Sequence, residues 1–248
     1  MREIMLNKTK SMIAIYKKFS LDSLFMASFY IALNRLMKVV IMIVPLQFVL
    51  IMGTNAVPQK LQALLPDFLT NDLTFLLVLM ISGFVFLLLS YMFVNYKSTS
   101  CKKKSLAEKH KQYPDFIKTV KKAKEFLSKS VEIQSDFILN VFCLSVIALF
   151  NIPYFIFCTL VVVISLYIFD ELLADFMSKN IEFYTEVYSL GMYIIMVGYL
   201  AYTAYTHNGN ILHLVPIFFV SRMIVVSVPR LTKNILAVKK IEVKEFIS

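Results

Sequence analysis

Arg222 is the one basic residue deep inside an apolar stretch of this 248-residue chain. An ionised side chain is costly in lipid, so it must face a partner, a cavity or the water at one membrane surface. Two interpretations stay open: Arg222 is a structural group that pairs or reaches one surface, or it takes part in the passage of a substrate or ion. No carboxylate lies inside another apolar stretch to pair with it.

A short acidic segment, 170–186, and two histidines are further candidates for chemistry. Carboxylates at this kind of position relay protons in secondary transporters, but a solvated turn explains them as well. His207 and His213 flank a predicted outer turn, and two histidines without a third ligand make a poor metal site. We therefore predict no metal and no cofactor. The carboxylates are Asp170, Glu171, Asp175, Glu182 and Glu186.

Four tyrosines fall on or near one stripe of a predicted helix. The stripe consists of Tyr193, Tyr199, Tyr202 and Tyr205. It is either a packing surface or interfacial belt, or a wall that lines a substrate path. The predicted substrate or cavity residues are Arg222, Ser221, Tyr199 and Tyr202. No Ser/His/Asp set, nucleophile motif or metal-ligand cluster is present, so no enzymatic activity is predicted.

The composition indicates a membrane protein made of helices. Hydrophobic residues make up 58% of the chain, the mean hydropathy is +0.71, and the apolar residues are concentrated in blocks. A membrane-crossing helix needs about 20 such residues, and lipid admits only helices or closed barrels. The blocks lack the alternation of barrel strands, so the sequence predicts an all-α membrane protein.

The net charge of +10 is explained by its placement along the chain. Of the 26 Lys and Arg, seven lie in 1–38, eleven in 96–135 and five in 229–248. Basic residues held on one side of a membrane mark the cytoplasmic face. We therefore predict cytoplasmic N- and C-termini and contact with membrane lipid. Nucleic-acid binding is not predicted, because no nucleic-acid-binding motif accompanies the charge.

The uncharged block 137–169 decides the number of spans. It is too short for two ideal spans and long for one. Only two crossings leave the basic C-terminus on the side of the other basic segments, so we predict a hairpin that turns at Asn151–Pro153. The six predicted spans are about 33–53, 73–95, 130–150, 153–170, 187–205 and 211–229. Kinks are predicted at Pro45, Pro153, Pro216 and Pro229.

Three segments lie outside these spans. Residues 1–32 have a helical rhythm of apolar side chains, which predicts an amphipathic segment on the cytoplasmic face. A helix that binds a cytosolic partner is the alternative. Residues 96–136 form a Lys-rich cytoplasmic arm, and residues 231–248 are predicted to be a basic cytoplasmic helix. The six-span domain itself is assigned to 33–230.

Several motifs in this layout resemble the transmembrane domain of type I secretion ABC exporters. The run 149–154, Leu-Phe-Asn-Ile-Pro-Tyr, is similar to the Leu-Phe-Asp-(Leu/Ile)-Pro-Trp turn between their third and fourth spans. The segment 123–139 resembles the helix that leads into their third span, and 44–46 resembles a Val-Pro segment of their first. Ser221, Arg222 and Pro229 resemble part of a last-span pattern, with imperfect spacing. The resemblance covers roughly 33–245.

The resemblance implies six spans, a dimer and a role in the transport or secretion of a peptide or amphipathic solute at the bacterial cytoplasmic membrane. The chain departs from the family in having no nucleotide-binding motif and only a short link between spans four and five. Energy would then come from a proton gradient or from a separate ATPase or secretion component. A structural or regulatory subunit that transports nothing is the alternative.

Overall fold

The computed structural model describes residues 24–54, 73–112, 123–171, 181–206 and 211–240. Within these ranges every residue except Leu24 and Asn151 is α-helical, and no strand occurs. The helices are α1 (Phe25–Thr54), α2 (Leu73–Gln112), α3 (Ala123–Phe150), α4 (Ile152–Glu171), α5 (Ile181–Thr206) and α6 (Ile211–Lys240). The prediction of an all-α chain with six helices is confirmed.

Several predicted segments fall outside the described residues. They are most of the N-terminal segment (1–23), the loop 55–72, part of the Lys-rich arm (113–122), the middle of the acidic link (172–180), the turn at 207–210 and the end of the C-terminal segment (241–248). Residues 25–32, which the sequence assigned to the N-terminal segment, are continuous with the first span in α1. Much of the Lys-rich arm is likewise helical, because α2 extends to Gln112.

Five of the described helices contain a stretch long and apolar enough to cross a membrane. These stretches are Phe25–Leu46, Leu77–Glu108, Glu125–Phe150, Thr185–Thr206 and Leu214–Val238. The apolar part of α4, Ile152–Tyr167, is shorter. Since lipid requires such helices to satisfy their own backbone groups, the chain is a multi-pass helical membrane protein.

Successive helices run in alternating directions: in the contacts of α3 with α6, α4 with α5 and α5 with α6 the residue numbers rise on one helix as they fall on the other, whereas for α1 and α3 they rise together. Helix α2 contacts α1 through Asn34–Asn95 and α3 through Lys102–Glu132, while α1 contacts α3 through Ser28–Gln134 and Arg35–Asp136. The contacts between α3 and α6 are Asn140–Ser227 and Cys143–Met223. Those between α4 and α5 are Phe157–Tyr199 and Ser165–Met192, and those between α5 and α6 are Ser189–Val225 and Tyr193–Phe218. The start of α1 and the end of α6 therefore lie at the same end of the bundle.

Asn151 separates α3 from α4, where the sequence placed the turn. Its N–H donates to the carbonyl of Ile147 at 2.8 Å, as the last bond of α3. Its carbonyl accepts from Phe155 at 2.9 Å, and its side-chain oxygen accepts from the N–H of Tyr154 at 3.0 Å. Asn151 is thus the N-cap of α4. Pro153 fits in the first turn of α4, where its missing N–H has no intrahelical partner to lose.

Helix α6 is the centre of the bundle. It packs against α1, α3, α4 and α5, and 56% of its apolar stretch is buried, compared with 6% for α1 and α2. The main core joins α3, α4, α5 and α6 around Cys143, Ile147, Tyr154, Met196 and Ile224. The exposed apolar faces of α1 and α2 are those expected of helices that contact lipid.

Candidate functional site

A seam of polar side chains joins α3 to α6. On α3 it comprises Lys129, Asp136 and Asn140, which are seven and four residues apart and so share one face of the helix. On α6 it comprises Ser227, Arg230 and Asn234, which are three and four residues apart and also share one face. Lys129 donates to Asn234 Oδ1 at 3.1 Å, and Ser227 donates to Asn140 Oδ1 at 2.5 Å. The two helices are therefore aligned by polar pairs inside the bundle.

The central member of this seam is Asp136, whose side chain has no exposed surface. Arg230 Nη2 donates to Asp136 Oδ1 at 2.6 Å, and Arg230 Nε lies 3.0 Å from both carboxylate oxygens. Arg35 of α1 donates to the same Oδ1 at 2.6 Å and to Ser135 Oγ at 3.1 Å. A fully buried carboxylate needs such donors to offset the cost of losing its water. One carboxylate thus ties three helices together.

A cavity of about 390 Å³ lies beside this ion-pair cluster, between α1, α3 and α6. Four cations line it: Arg35, Lys38, Arg222 and Arg230. The other lining residues are apolar: Val39, Met42, Leu139, Phe219, Met223 and Val226. The volume falls within the range of small-molecule pockets. The lining suits a molecule that carries negative charge at one part and hydrocarbon at another.

Arg222 lies in this cavity, and its side chain is exposed there rather than buried in a pair. Arg222 and Lys38 have no ion-pair or hydrogen-bond partner among the described residues. Arg222 is eight residues from Arg230, which corresponds to about 12 Å along α6. The cations therefore form a series that runs from the Asp136 cluster further along the bundle.

Ser221 and Tyr199, two of the predicted cavity residues, lie in a different place. Tyr154 Oη donates to Ser221 Oγ at 2.8 Å, and Ser221 in turn donates to the carbonyl of Ile217 at 2.6 Å. Tyr199 stacks on Phe157 with ring centroids 4.0 Å apart. This closed aromatic cluster of α4, α5 and α6 favours the packing interpretation of the tyrosine stripe. Tyr202 is 61% exposed and borders the cluster through Tyr199.

The predicted kink prolines occupy three kinds of position. Pro45 and Pro216 lie inside α1 and α6, and Pro153 lies in the first turn of α4. Pro229 is buried in the middle of α6, where it cannot donate to the carbonyl of Val225. Ser189 of α5 donates to that carbonyl at 3.4 Å. A neighbouring helix thus partly replaces the lost backbone bond, as membrane bundles allow.

The sequence does not predict the charged cluster beside the cavity. The predicted Lys-rich arm (96–136) and the predicted third span (about 130–150) both contain Asp136, yet no carboxylate is expected inside another span as a partner for Arg222; in the structure Asp136 lies in the third apolar stretch, fully buried. Its partners are Arg35 and Arg230, not Arg222. A usable signal was present, because Asp136, Arg35 and Arg230 each stand where an apolar stretch meets a charged segment. Predicting the pairing required the helix directions.

The histidine and acidic-segment predictions cannot be placed in this site. His207 and the side chains of His213, Asp170, Glu171, Asp175 and Glu182 lie outside the described residues, and Glu186 is exposed on α5.

Comparisons with known proteins returned nothing for this chain: no protein-family model, no curated protein and no solved structure matches it.

Proposed function

We propose that this chain is one half of a homodimeric membrane carrier, with six spans in an ABC exporter-like arrangement, that moves an amphipathic solute or a peptide. The cavity between α1, α3 and α6 carries the proposal, because it combines four cations with an apolar wall inside a membrane protein. A carrier of an amphipathic anion needs both kinds of surface within the bilayer. The membrane is proposed to be the bacterial cytoplasmic membrane.

The series of cations supports passage rather than static packing. Ionisable residues inside spans mark substrate or ion pathways when they face a cavity. Lys38 follows Arg35 by one turn, and Arg222 lies about 12 Å along α6 from Arg230. An anion that enters near the Asp136 cluster would therefore meet successive positive charges along the bundle. Release at the far end would then depend on leaving Arg222.

The direction of the helices supports the proposed topology. The start of α1 and the end of α6 lie at one end of the bundle, where the Lys-rich parts of α2 and α3 also lie. The placement of Lys and Arg favours the cytoplasm for that end. The described helices and the sequence contain no phosphate-binding loop, so energy is proposed to come from a proton gradient or from a separate ATPase or secretion component.

A structural or regulatory subunit is the second candidate, and one observation favours it. Asp136 is fully buried and its two oxygens are both used by arginines of α1 and α6. Such a cluster fixes three helices against one another, which suits a scaffold that binds other membrane or secretion components. In this case the cavity would hold a permanent ligand and no solute would cross.

A transport measurement separates the two candidates. The full chain is reconstituted in vesicles loaded with a fluorescently labelled acidic acyl-peptide, and downhill efflux is followed with and without a proton gradient. A carrier should release the probe faster than protein-free vesicles do. Arg222→Gln should slow the efflux about tenfold, because a hydrogen bond to a charged group contributes roughly 1.5–3 kcal/mol.

Lys103→Gln is the matched control, because it removes a positive charge from the exposed surface of α2, away from the cavity. Its efflux should equal that of the unmodified chain. Folded protein that releases no probe under either condition would contradict the carrier and favour the structural subunit.

A further inference from the structure

We propose that the cavity is a binding site for an anionic lipid whose headgroup is a phosphate of more than one negative charge. The inference shares its site with the proposed carrier function and names the class of ligand. Lys38 and Arg222 bind the phosphate, while Asp136 holds Arg35 and Arg230 at the edge of the site. The hydrocarbon part of the lipid lies along the apolar wall.

The charge balance of the site calls for a multivalent anion. Four cations line the cavity, and Asp136 is the only carboxylate in contact with any of them among the described residues. Among the described residues, the four cations therefore exceed the one carboxylate that contacts them by three charges. A phosphomonoester carries a charge of about −1.5 to −2 at pH 7, whereas a fatty-acid carboxylate carries one charge.

The two unpaired cations are also the accessible ones. Lys38 and Arg222 are exposed, whereas Arg35 and Arg230 use guanidinium nitrogens on Asp136. Lys38 comes from α1 and Arg222 from α6, so together they approach the cavity from two facing helices. An arginine fork and a lysine point charge that line one cavity both suit the tetrahedral oxygens of a phosphate group.

The apolar side of the cavity favours a lipid over a soluble phosphate. Met42 and Val226 line the cavity and are 58% and 51% exposed, so the cavity opens on the outer surface of the bundle. Phe219 and Met223 continue the same apolar wall on α6. An inorganic phosphate would leave this wall uncovered, whereas the acyl chain of a lipid would cover it.

Native mass spectrometry of the full chain in nanodiscs tests the inference. The nanodiscs contain phosphatidic acid, phosphatidylglycerol or phosphatidylcholine at equal mole fraction, and retained lipid is counted after release of the protein. Phosphatidic acid should be retained at least about tenfold more than phosphatidylcholine, with phosphatidylglycerol between them. The Lys38→Gln, Arg222→Gln double variant should lose this preference.

Two further variants keep the result interpretable. Lys103→Gln removes a positive charge elsewhere and should leave the preference intact. Lys38→Arg, Arg222→Lys keeps both charges and should retain most of it, which a folding defect in the first variant would not explain. Equal retention of phosphatidic acid and phosphatidylcholine, or retention that the double Gln variant does not reduce, would overturn the inference.

A competition arm distinguishes the source of the phosphate. Inorganic phosphate and pyrophosphate are added at millimolar concentration to the nanodiscs with phosphatidic acid. The lipid should stay bound, because its hydrocarbon part contributes to affinity. Displacement at low phosphate concentration would identify a soluble anion as the ligand and overturn the lipid assignment.

The outcome does not depend on the transport result. Specific retention of phosphatidic acid without efflux of the acyl-peptide would support the lipid site and contradict the carrier. Efflux that depends on Arg222, without any lipid preference, would support the carrier and contradict the lipid site.

Discussion

Helix α6 buries polar side chains in two different ways, one toward each of its ends. Toward its N-terminus, Ser221 accepts a hydrogen bond from Tyr154, and the surrounding aromatic rings close around them. Toward its C-terminus, Arg230 shares Asp136 with Arg35, and an open cavity extends from there as far as Phe219, on a different face of α6 from Ser221. Both ends bury polar side chains in a membrane bundle. The first is neutral and closed, whereas the second is charged and open.

The difference shows what distinguishes a packing contact from a candidate binding site. A neutral hydroxyl pair is satisfied by one donor and one acceptor, so aromatic side chains can pack around it without a gap. A carboxylate between two arginines leaves net positive charge, and nearby Lys38 and Arg222 add to it. Charge in excess inside a membrane bundle must face a partner, water or a cavity. The charged end is therefore the one with room for a ligand.

The largest effect is expected at the charged end. Asp136→Ala should lower the free energy of unfolding by about 3–5 kcal/mol, because two arginines would lose their buried counter-ion. The measurement is unfolding of the detergent-solubilised chain by SDS. Glu132→Ala is the control on the same helix: its contacts with Lys102 and Lys129 are 3.4 and 3.7 Å long and partly exposed, so it should cost less than about 1 kcal/mol. Equal losses in the two variants would remove the distinction between the buried and the surface pair.

A smaller effect is expected at the neutral end. Tyr154→Phe keeps the ring and its stacking but removes the hydroxyl that donates to Ser221, and it should cost about 1 kcal/mol in the same assay. Tyr202→Phe removes a hydroxyl from a side chain that is 61% exposed and should change nothing measurable. A loss of unfolding free energy in Tyr154→Phe as large as that in Asp136→Ala would mean that the neutral hydrogen bond stabilises the bundle as much as the buried ion pairs do.

The smallest effect concerns the backbone between the two ends. Ser189→Ala removes the donor to the carbonyl that Pro229 leaves unpaired, and the 3.4 Å distance indicates a weak bond. We expect a loss of about 0.5 kcal/mol, in line with polar contacts between membrane helices. Ser145→Ala is the control, because its hydroxyl donates within α3 to Val141 and is exposed. A loss well above 1 kcal/mol would show that α6 depends on α5 at Pro229.

Much of the fold could be predicted because it follows from composition and charge. The uncharged block 137–169 and the basic C-terminus together located the helix break, and the structure has it at Asn151. Composition and charge act along one segment at a time. They predict the rough positions of the helices and the break at Asn151, but not that α1 begins at Phe25 or that α2 extends to Gln112.

The rest of the site could not be predicted because it depends on which helices meet. Arg35 and Asp136 are 101 positions apart, and Asp136 and Arg230 are 94 apart. Only the parallel course of α1 and α3 and the antiparallel course of α6 bring the three together. Ser221 and Arg222 are both predicted substrate or cavity residues, but neighbouring residues on a helix point about 100° apart. Ser221 faces Tyr154 instead.

The one-residue connection at Asn151 limits how this molecule can move. The same residue ends the hydrogen bonding of α3 and caps α4, so no loop separates the two helices. Leu139 on this hairpin forms one wall of the cavity. Because Asp136 on α3 holds Arg35 of α1 and Arg230 of α6, a movement of α1 or α6 away from this hairpin that widens the cavity must lengthen or break one of these ion pairs.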